Sequence, residues 1–423
     1  MSTGARRFIL LGLFLLIVPA AVRHVLLWPI GPNQRLDSLP WVYGLDKAQP
    51  FLVLIGFVLL VLGMYRLFRR GGGLLTVVGV LIAGVLPMAV YYGMDRTAAR
   101  TIFEPLFEPA FAQGVSDELP GETLILGLRL GDEVRAYPIR LLAYHHQVTD
   151  EVDGRPLLVT YCSRCRTGKI FDARLDGNVI GMELVGAIYD NSVYRDVDSG
   201  SYWFQANGKF VTGSLEGRAL TELRTDQMTL EKWLQLYPDS LVMQPDSRHE
   251  VGYGRFGFAS WDKKRNLPDI AAEWQWVLGV LPSGEIGGEA KGYAWTYLAG
   301  ERLIQDEVDG VPVAVLLSTD GVSHRVWDRR FDDRVLNLAV QDDSDELVDT
   351  ESGLVIGFDG VVRAVPVVEE PVDGADAESE PVTEDTEADS PALGSLEPVM
   401  STVEFRHSFE RFMEGKVADG PSP

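Results

Sequence analysis

Asp150-Glu151-Val152-Asp153-Gly154, leading into the apolar run Leu157-Leu158-Val159, decides how this chain is read. An Asp-Gly pair between two strand-prone runs is a hairpin turn, because so tight a connection needs residues that tolerate positive φ. The same five residues recur as Asp306-Glu307-Val308-Asp309-Gly310. Working outward, residues 137–179 align without gaps to residues 293–335 at a constant offset of 156, with 14 of 43 positions identical. Self-similarity at a fixed spacing predicts a duplicated unit. In the first copy, residues 138–148 read as a short helix and residues 171–179 as a strand pair turning at Asp176-Gly177. Strands outnumber helices. The expected fold class is α+β, mostly antiparallel β, in two tandem copies of one unit.

The copies share scaffold residues and differ in chemistry. Pro156 recurs as Pro312, Asp172 as Asp328 and Arg174 as Arg330. By contrast, His145 is matched by Glu301, His146 by Arg302, Cys162 by Ser318 and Cys165 by Gly321. A fold that does without these four residues in one copy makes them candidates for function in the other. Cys162-Ser163-Arg164-Cys165 follows a strand, and His145-His146 close the preceding helix. The hairpin between them brings both to one edge of the sheet. Thiolate and imidazole donors together suit zinc or copper. Cys-x-x-Cys is also the spacing of a redox dithiol, and Arg164, Arg166 and Lys169 are cations that lower a thiol pKa. The alternative is a non-enzymatic surface scaffold or binding module with a structural Cys162–Cys165 disulfide. Tyr161, Trp203 and Gln205 are candidates to line the site. Trp203 and Gln205 share one strand face, and Trp203 reads equally well as core.

Other patterns carry less. Gly252-Tyr253-Gly254-Arg255-Phe256-Gly257 has the letters of a dinucleotide fingerprint without its strand-turn-helix setting, and reads as a loop. Asp196, Asp198 and Ser199 read as a solvated polar turn. No nucleophile elbow or phosphate-binding loop is present.

Together these residues resemble a known family. Val134-Arg135-Ala136-Tyr137-Pro138, then His145 through Asp150, then Tyr161-Cys162-x-x-Cys165, then Asp196-x-x-Ser199-Gly200-Ser201-x-Trp203-x-Gln205 are similar to the bacterial and archaeal domain-of-unknown-function family DUF3179. Trp233 and Tyr237-Pro238-Asp239 fit the pattern too, and the resemblance spans about residues 119–362. It implies an exported or membrane-attached domain and no particular reaction. The chain departs from the family motif between and after the cysteines. Ser163-Arg164 and Arg166-Thr167 stand where Pro-Leu and Gly-Thr are usual, and His146 stands where Glu is usual.

Three apolar segments, residues 8–28, 51–68 and 74–92, each approach the roughly 20 residues that cross a hydrocarbon core. Arg6 and Arg7 precede the first, and Arg66, Arg69 and Arg70 lie between the second and third. The positive-inside rule puts both clusters in the cytoplasm. The expected location is the cell membrane, multi-pass, with everything after Tyr92 extracytoplasmic. The first segment also has signal-peptide features, with Pro19-Ala20-Ala21 as a cleavage region.

The formal net charge is −23, from 61 acidic and 38 basic residues. That excludes a nucleic-acid partner, which needs a basic surface. Ten of the acidic residues and no basic one fall in residues 367–390, a composition that cannot bury enough apolar surface to fold. The expected organisation is a three-helix anchor (1–94), a juxtamembrane linker (95–118), a first repeat (119–262) and a degenerate second repeat (263–366). An acidic disordered linker (367–399) and a C-terminal helix (400–415) follow, the helix opened by the capping box Ser401-Thr402-Val403-Glu404.

Overall fold

The computed structural model of the chain describes residues 3–69, 73–256, 271–284, 288–341, 343–364 and 391–421. The chain divides into two compact units, one of Met1–Pro109 with Leu142–Leu223, the other of Ala110–Leu141 with Arg224–Pro423.

The first unit opens with three helices, α1 (Thr3–Leu26), α2 (Leu39–Phe68) and α3 (Leu74–Arg96). Each is long and apolar enough to cross a membrane. Glycines set the closeness of α1 to α2: a Cβ at Gly12 would lie 2.7 Å from the Gly56 carbonyl oxygen. Small residues at such a contact let two backbones approach where lipid offers no hydrophobic drive to pack.

Two antiparallel sheets follow. One holds Gln147–Val152, Arg155–Cys162, Thr167–Asp172 and Glu222–Leu223; the other holds Met182–Ile188, Asn191–Asp196, Tyr202–Phe204 and Phe210–Thr212. The hairpin at Asp153-Gly154 forms as read, with φ of 50° and 66°. The helix expected over residues 138–148 is shorter, Ile139–His145, because His146 takes φ 58° and the strand starts at Gln147. Between the sheets lie Leu158, Phe171, Met182, Leu184, Tyr194, Trp203 and Phe210. The stretch read as a juxtamembrane linker is built into the fold. The Leu106 N–H donates to the Gln147 carbonyl at 2.9 Å, and the Thr149 N–H donates back to Leu106 at 3.0 Å.

In the second unit, one sheet runs in the order Phe111–Gln113, Leu241–Met243, Glu133–Pro138, Leu124–Leu130, Asp226–Thr229. Another runs Lys416–Ala418, Lys291–Ala294, Trp276–Leu281, Met400–Phe405. Among the described residues, the parallel neighbours in each are a late strand beside an early one: Leu241–Met243 on Glu133–Pro138, and Lys416–Ala418 on Lys291–Ala294. The rest of the unit includes a three-stranded sheet over residues 303–328 and a five-stranded sheet that ends in Ala392–Ser395.

The C-terminal reading needs correction. Residues 401–404 do not cap a helix; Met400–Phe405 is a strand paired with Trp276–Leu281, and the helix is Arg406–Phe412. Ala392–Ser395, expected to be linker, pairs with Val361–Arg363. Residues 367–390 of that expected linker lie outside the described residues. The Gly252 loop is in fact the helix Glu250–Phe256 up to the last described residue.

Candidate functional site

The site grows from the end of the strand Arg155–Cys162. Its last register pair is Cys162 with Thr167, and the intervening turn is closed by the Arg166 N–H donating to the Cys162 carbonyl at 2.8 Å. Both cysteines are fully buried and both are free thiols. The structural disulfide read from the sequence is therefore not formed.

A second hairpin lies over this turn. Tyr189 and Asp190, both at φ 57°, make its two-residue connection. That geometry aims Asn191 at the sulfurs. The Asn191 Nδ2 donates to Cys165 Sγ at 3.1 Å, and the Cys165 N–H donates to Cys162 Sγ at 3.4 Å. Protonated, Cys162 donates to the Asp190 carbonyl at 3.5 Å. Asn191 is held in turn: its Nδ2 reaches Gln205 Oε1 at 3.3 Å and its Oδ1 accepts the Ala206 N–H at 3.1 Å. Gln205 Nε2 donates to Thr160 Oγ1 and to the Thr167 carbonyl, each at 3.2 Å. Arg164 closes the rim in an ion pair with Asp190, with one contact at 2.9 Å.

Burial pushes the Cys162 thiol up, but hydrogen bonds from Cys165 and Ser192, side chain and backbone, outweigh it and bring it down to about 7. A thiolate that accepts several hydrogen bonds is stabilised in its charged form. Tyr194 moves the other way. Burial, then the charges on Cys162 and Cys165, raise its phenol well above the ordinary range. It stays neutral and donates to the His146 carbonyl at 2.5 Å.

The histidines do not join the sulfurs. His145 Nδ1 meets the Glu104 carbonyl at 2.5 Å. His146 Nε2 meets Ser163 Oγ at 2.7 Å, and its ring lies 3.8 Å from Phe103, centroid to centroid. Burial first, then Arg166 and His145, lower the His146 imidazole to about 3, so it is neutral. Among the described residues, no three His, Cys, Asp or Glu side chains are grouped so as to hold a metal ion. A zinc or copper site made of Cys162, Cys165, His145 and His146 does not fit these contacts.

Of the residues expected to line the site, Gln205 supports Asn191 as described. Trp203 is core: it stacks on Tyr194 at 4.8 Å and sits among Phe171 and Phe210. Tyr161 is buried, and its N–H donates to the His146 carbonyl at 3.2 Å. A cavity of about 210 Å³ borders the turn, with Leu27, Trp28, Ile30, Ile102, Phe103 and Leu184 in its apolar wall. Asn191, Ser192 and Ser163 were not singled out from the sequence. Asn191 and Ser192 reach the cysteines from a neighbouring hairpin, and Ser163, within the turn, meets His146 and the Ala143 carbonyl. The one available signal was the Ser163-Arg164 departure between the cysteines.

The family model described as "Protein of unknown function (DUF3179)" matches residues 101–415. No curated protein and no solved structure matches the chain. With about three quarters of its length matched, the chain belongs to that family.

Proposed function

We propose that this DUF3179 protein carries a thiol redox site in which Cys162 is the nucleophile and Cys165 the partner that closes a disulfide. One observation carries the reading: polar donors converge on two adjacent sulfurs inside an otherwise closed fold. Asn191 and the Cys165 N–H reach them at 3.1 and 3.4 Å, and Asn191 is itself held by Gln205 and Ala206. Buried cysteines with a purely packing role behave as small hydrophobes and need no such cradle. A thiol lowered to about 7 is about half thiolate, the reactive form, at neutral pH.

The proposal includes a location and a history. The domain lies outside the cytoplasm on a multi-pass anchor, as the arginine pattern indicates. It contains two copies of one unit, the second without the cysteines. Two features support duplication. The helix Ile139–His145 and the strands Gln147–Val152 and Arg174–Leu175 recur 156 residues later as Trp295–Glu301, Leu303–Val308 and Arg330–Phe331. In addition, four strands of each large sheet follow the same order, with the parallel pair in the same place. Where the first copy has Cys162, the second has Ser318 donating to Asp345 at 2.6 Å, in an ion pair with Lys232. That cluster satisfies its own charges and offers no thiol chemistry.

The test is spectroscopic. Thiolate absorbance at 240 nm, followed by pH titration of the reduced full chain, should show a midpoint near 7 that disappears in Cys162→Ser. Equilibration with reduced and oxidised glutathione should give a Cys162–Cys165 disulfide by mass spectrometry. A midpoint near 9, or a folded protein that never forms the bond under oxidising conditions, would sink the reading.

A further inference from the structure

We infer that the cavity beside the cysteines admits the head group of a membrane-dissolved quinone, which oxidises the Cys162–Cys165 dithiol. The inference rests on the redox reading above and names the oxidant that reading requires.

The cavity is walled by Leu27 and Trp28, just past the end of α1, and by residues 97–103, just past the end of α3. Both helices are apolar enough to cross a membrane, so this wall lies where a bilayer meets water. A ligand dissolved in the membrane reaches such a place without entering water. Size agrees: about 210 Å³ falls below the roughly 300–1,000 Å³ of pockets that enclose a whole ligand. It suits one ring with its tail left in the lipid.

Charge decides the head group. The polar end of the wall is His146, Ser163, Arg164 and Ser192. Arg164 is paired with Asp190, and Arg23, also in the wall, is paired with Asp46. No uncompensated cation is left here for a phosphate. His146 is 4% exposed, neutral, and its Nδ1 has no hydrogen-bond partner among the described residues. A buried polar atom left unpaired is costly, and a quinone carbonyl or quinol hydroxyl would complete it. Ser192 joins the two sites, because it belongs to the cavity wall and hydrogen-bonds Cys162. Cys162 is fully buried and does not itself line the cavity, so the proposed reaction requires Ser192 to turn aside.

The chemistry balances. The Cys162 thiolate adds to a ring carbon of the quinone. Cys165 then attacks Cys162 Sγ; the S–S bond forms and the carbon–sulfur bond breaks. Its electron pair reduces the ring, and the two thiol protons end on the two quinol oxygens.

The probe is a benzoquinone carrying one isoprenoid unit, mixed without oxygen with the reduced full chain in lipid nanodiscs. The expected result is one quinol and one Cys162–Cys165 disulfide per chain. Ala98→Trp, which fills the cavity wall, should slow this at least tenfold. If that variant does not fold, competition by the redox-inert dimethyl ether of the same quinol gives the same reading, because it should slow the wild-type reaction. Oxidation by glutathione disulfide but not by the quinone overturns this inference and leaves the dithiol reading standing. Oxidation by neither overturns both. Quinone oxidation unaffected by a folded Ala98→Trp and by the ether places the reaction elsewhere, with the cavity an acyl-chain niche only.

Discussion

His146 shows how one residue's backbone and side chain can have separate roles, the ring meeting Ser163 and Phe103. Its N–H donates to Leu142 at 2.7 Å, and its carbonyl accepts from Tyr161 at 3.2 Å, with φ 58°. Arg302 makes the same two bonds, to Leu298 and from Leu317, both at 2.8 Å, with φ 59°. The conformation therefore does not need an imidazole. The imidazole has a measurable cost in acid. Folding holds it neutral, with its pKa lowered from 6.5 to about 3, so the unfolded chain binds the proton more readily between those values. A depressed histidine stabilises nothing on protonation; its burial costs stability as pH falls below about 6.5, and the loss grows until pH nears 3. His146→Asn keeps a residue that tolerates positive φ. Its melting temperature should fall less steeply than the wild type's between pH 6.5 and 4. Parallel curves would show that the ring is protonated in the fold.

At the scale of elements, the last strand and helix are structural parts of the second unit. Phe409 is fully buried, and its ring lies over Gly279 and Gly292, where added Cβ atoms would sit 2.3 and 2.8 Å from it. Only glycine lets two neighbouring strands accept a ring so closely. Phe409→Ala should cost about 3–5 kcal/mol, the usual range for emptying a buried aromatic site. Hydrogen exchange would read it, because amides of Trp276–Leu281 and Met400–Phe405 should lose protection together. If only the helix Arg406–Phe412 exchanged faster, Phe409 would be a local prop. These elements also show what was legible beforehand. The Asp153-Gly154 hairpin could be read because both strands and the turn lie within sixteen consecutive residues, Gln147 to Cys162. Residues 401–404 could not, because Ser, Thr, Val and Glu in that order satisfy a capping box and a strand alike. The deciding partner, Trp276–Leu281, lies more than a hundred residues away. The site divides the same way. Cys162 and Cys165 stood out because Ser318 and Gly321 take their places in the self-alignment. Asn191 and Ser192 did not, because only the fold brings their hairpin over the turn.

For the whole molecule, the question is which side of the membrane holds the dithiol. Within the first unit, the link from α1 to α2 is bound to the sheets: the Ala187 N–H donates to the Leu27 carbonyl at 3.1 Å, and Gln34 accepts the Asp190 N–H at 2.8 Å. That link and the cysteines therefore share a side. If all three helices cross, Arg66 in the last turn of α2 and Arg69 just after it stand on the other side with Arg6 and Arg7. Positive residues are retained in the cytoplasm, and on the proposed orientation the sheets face outward, into a compartment where disulfides persist. An alkaline phosphatase fused to the C-terminus should be active, and a green fluorescent protein fused there should stay dark. Replacing Arg66, Arg69 and Arg70 with alanine should erode that contrast, because these charges set the bias. A bright fluorescent fusion with an inactive phosphatase would put Cys162 and Cys165 among cytoplasmic reductants. The dithiol would then be kept reduced, and a membrane oxidant would have to compete with that pool at every turnover.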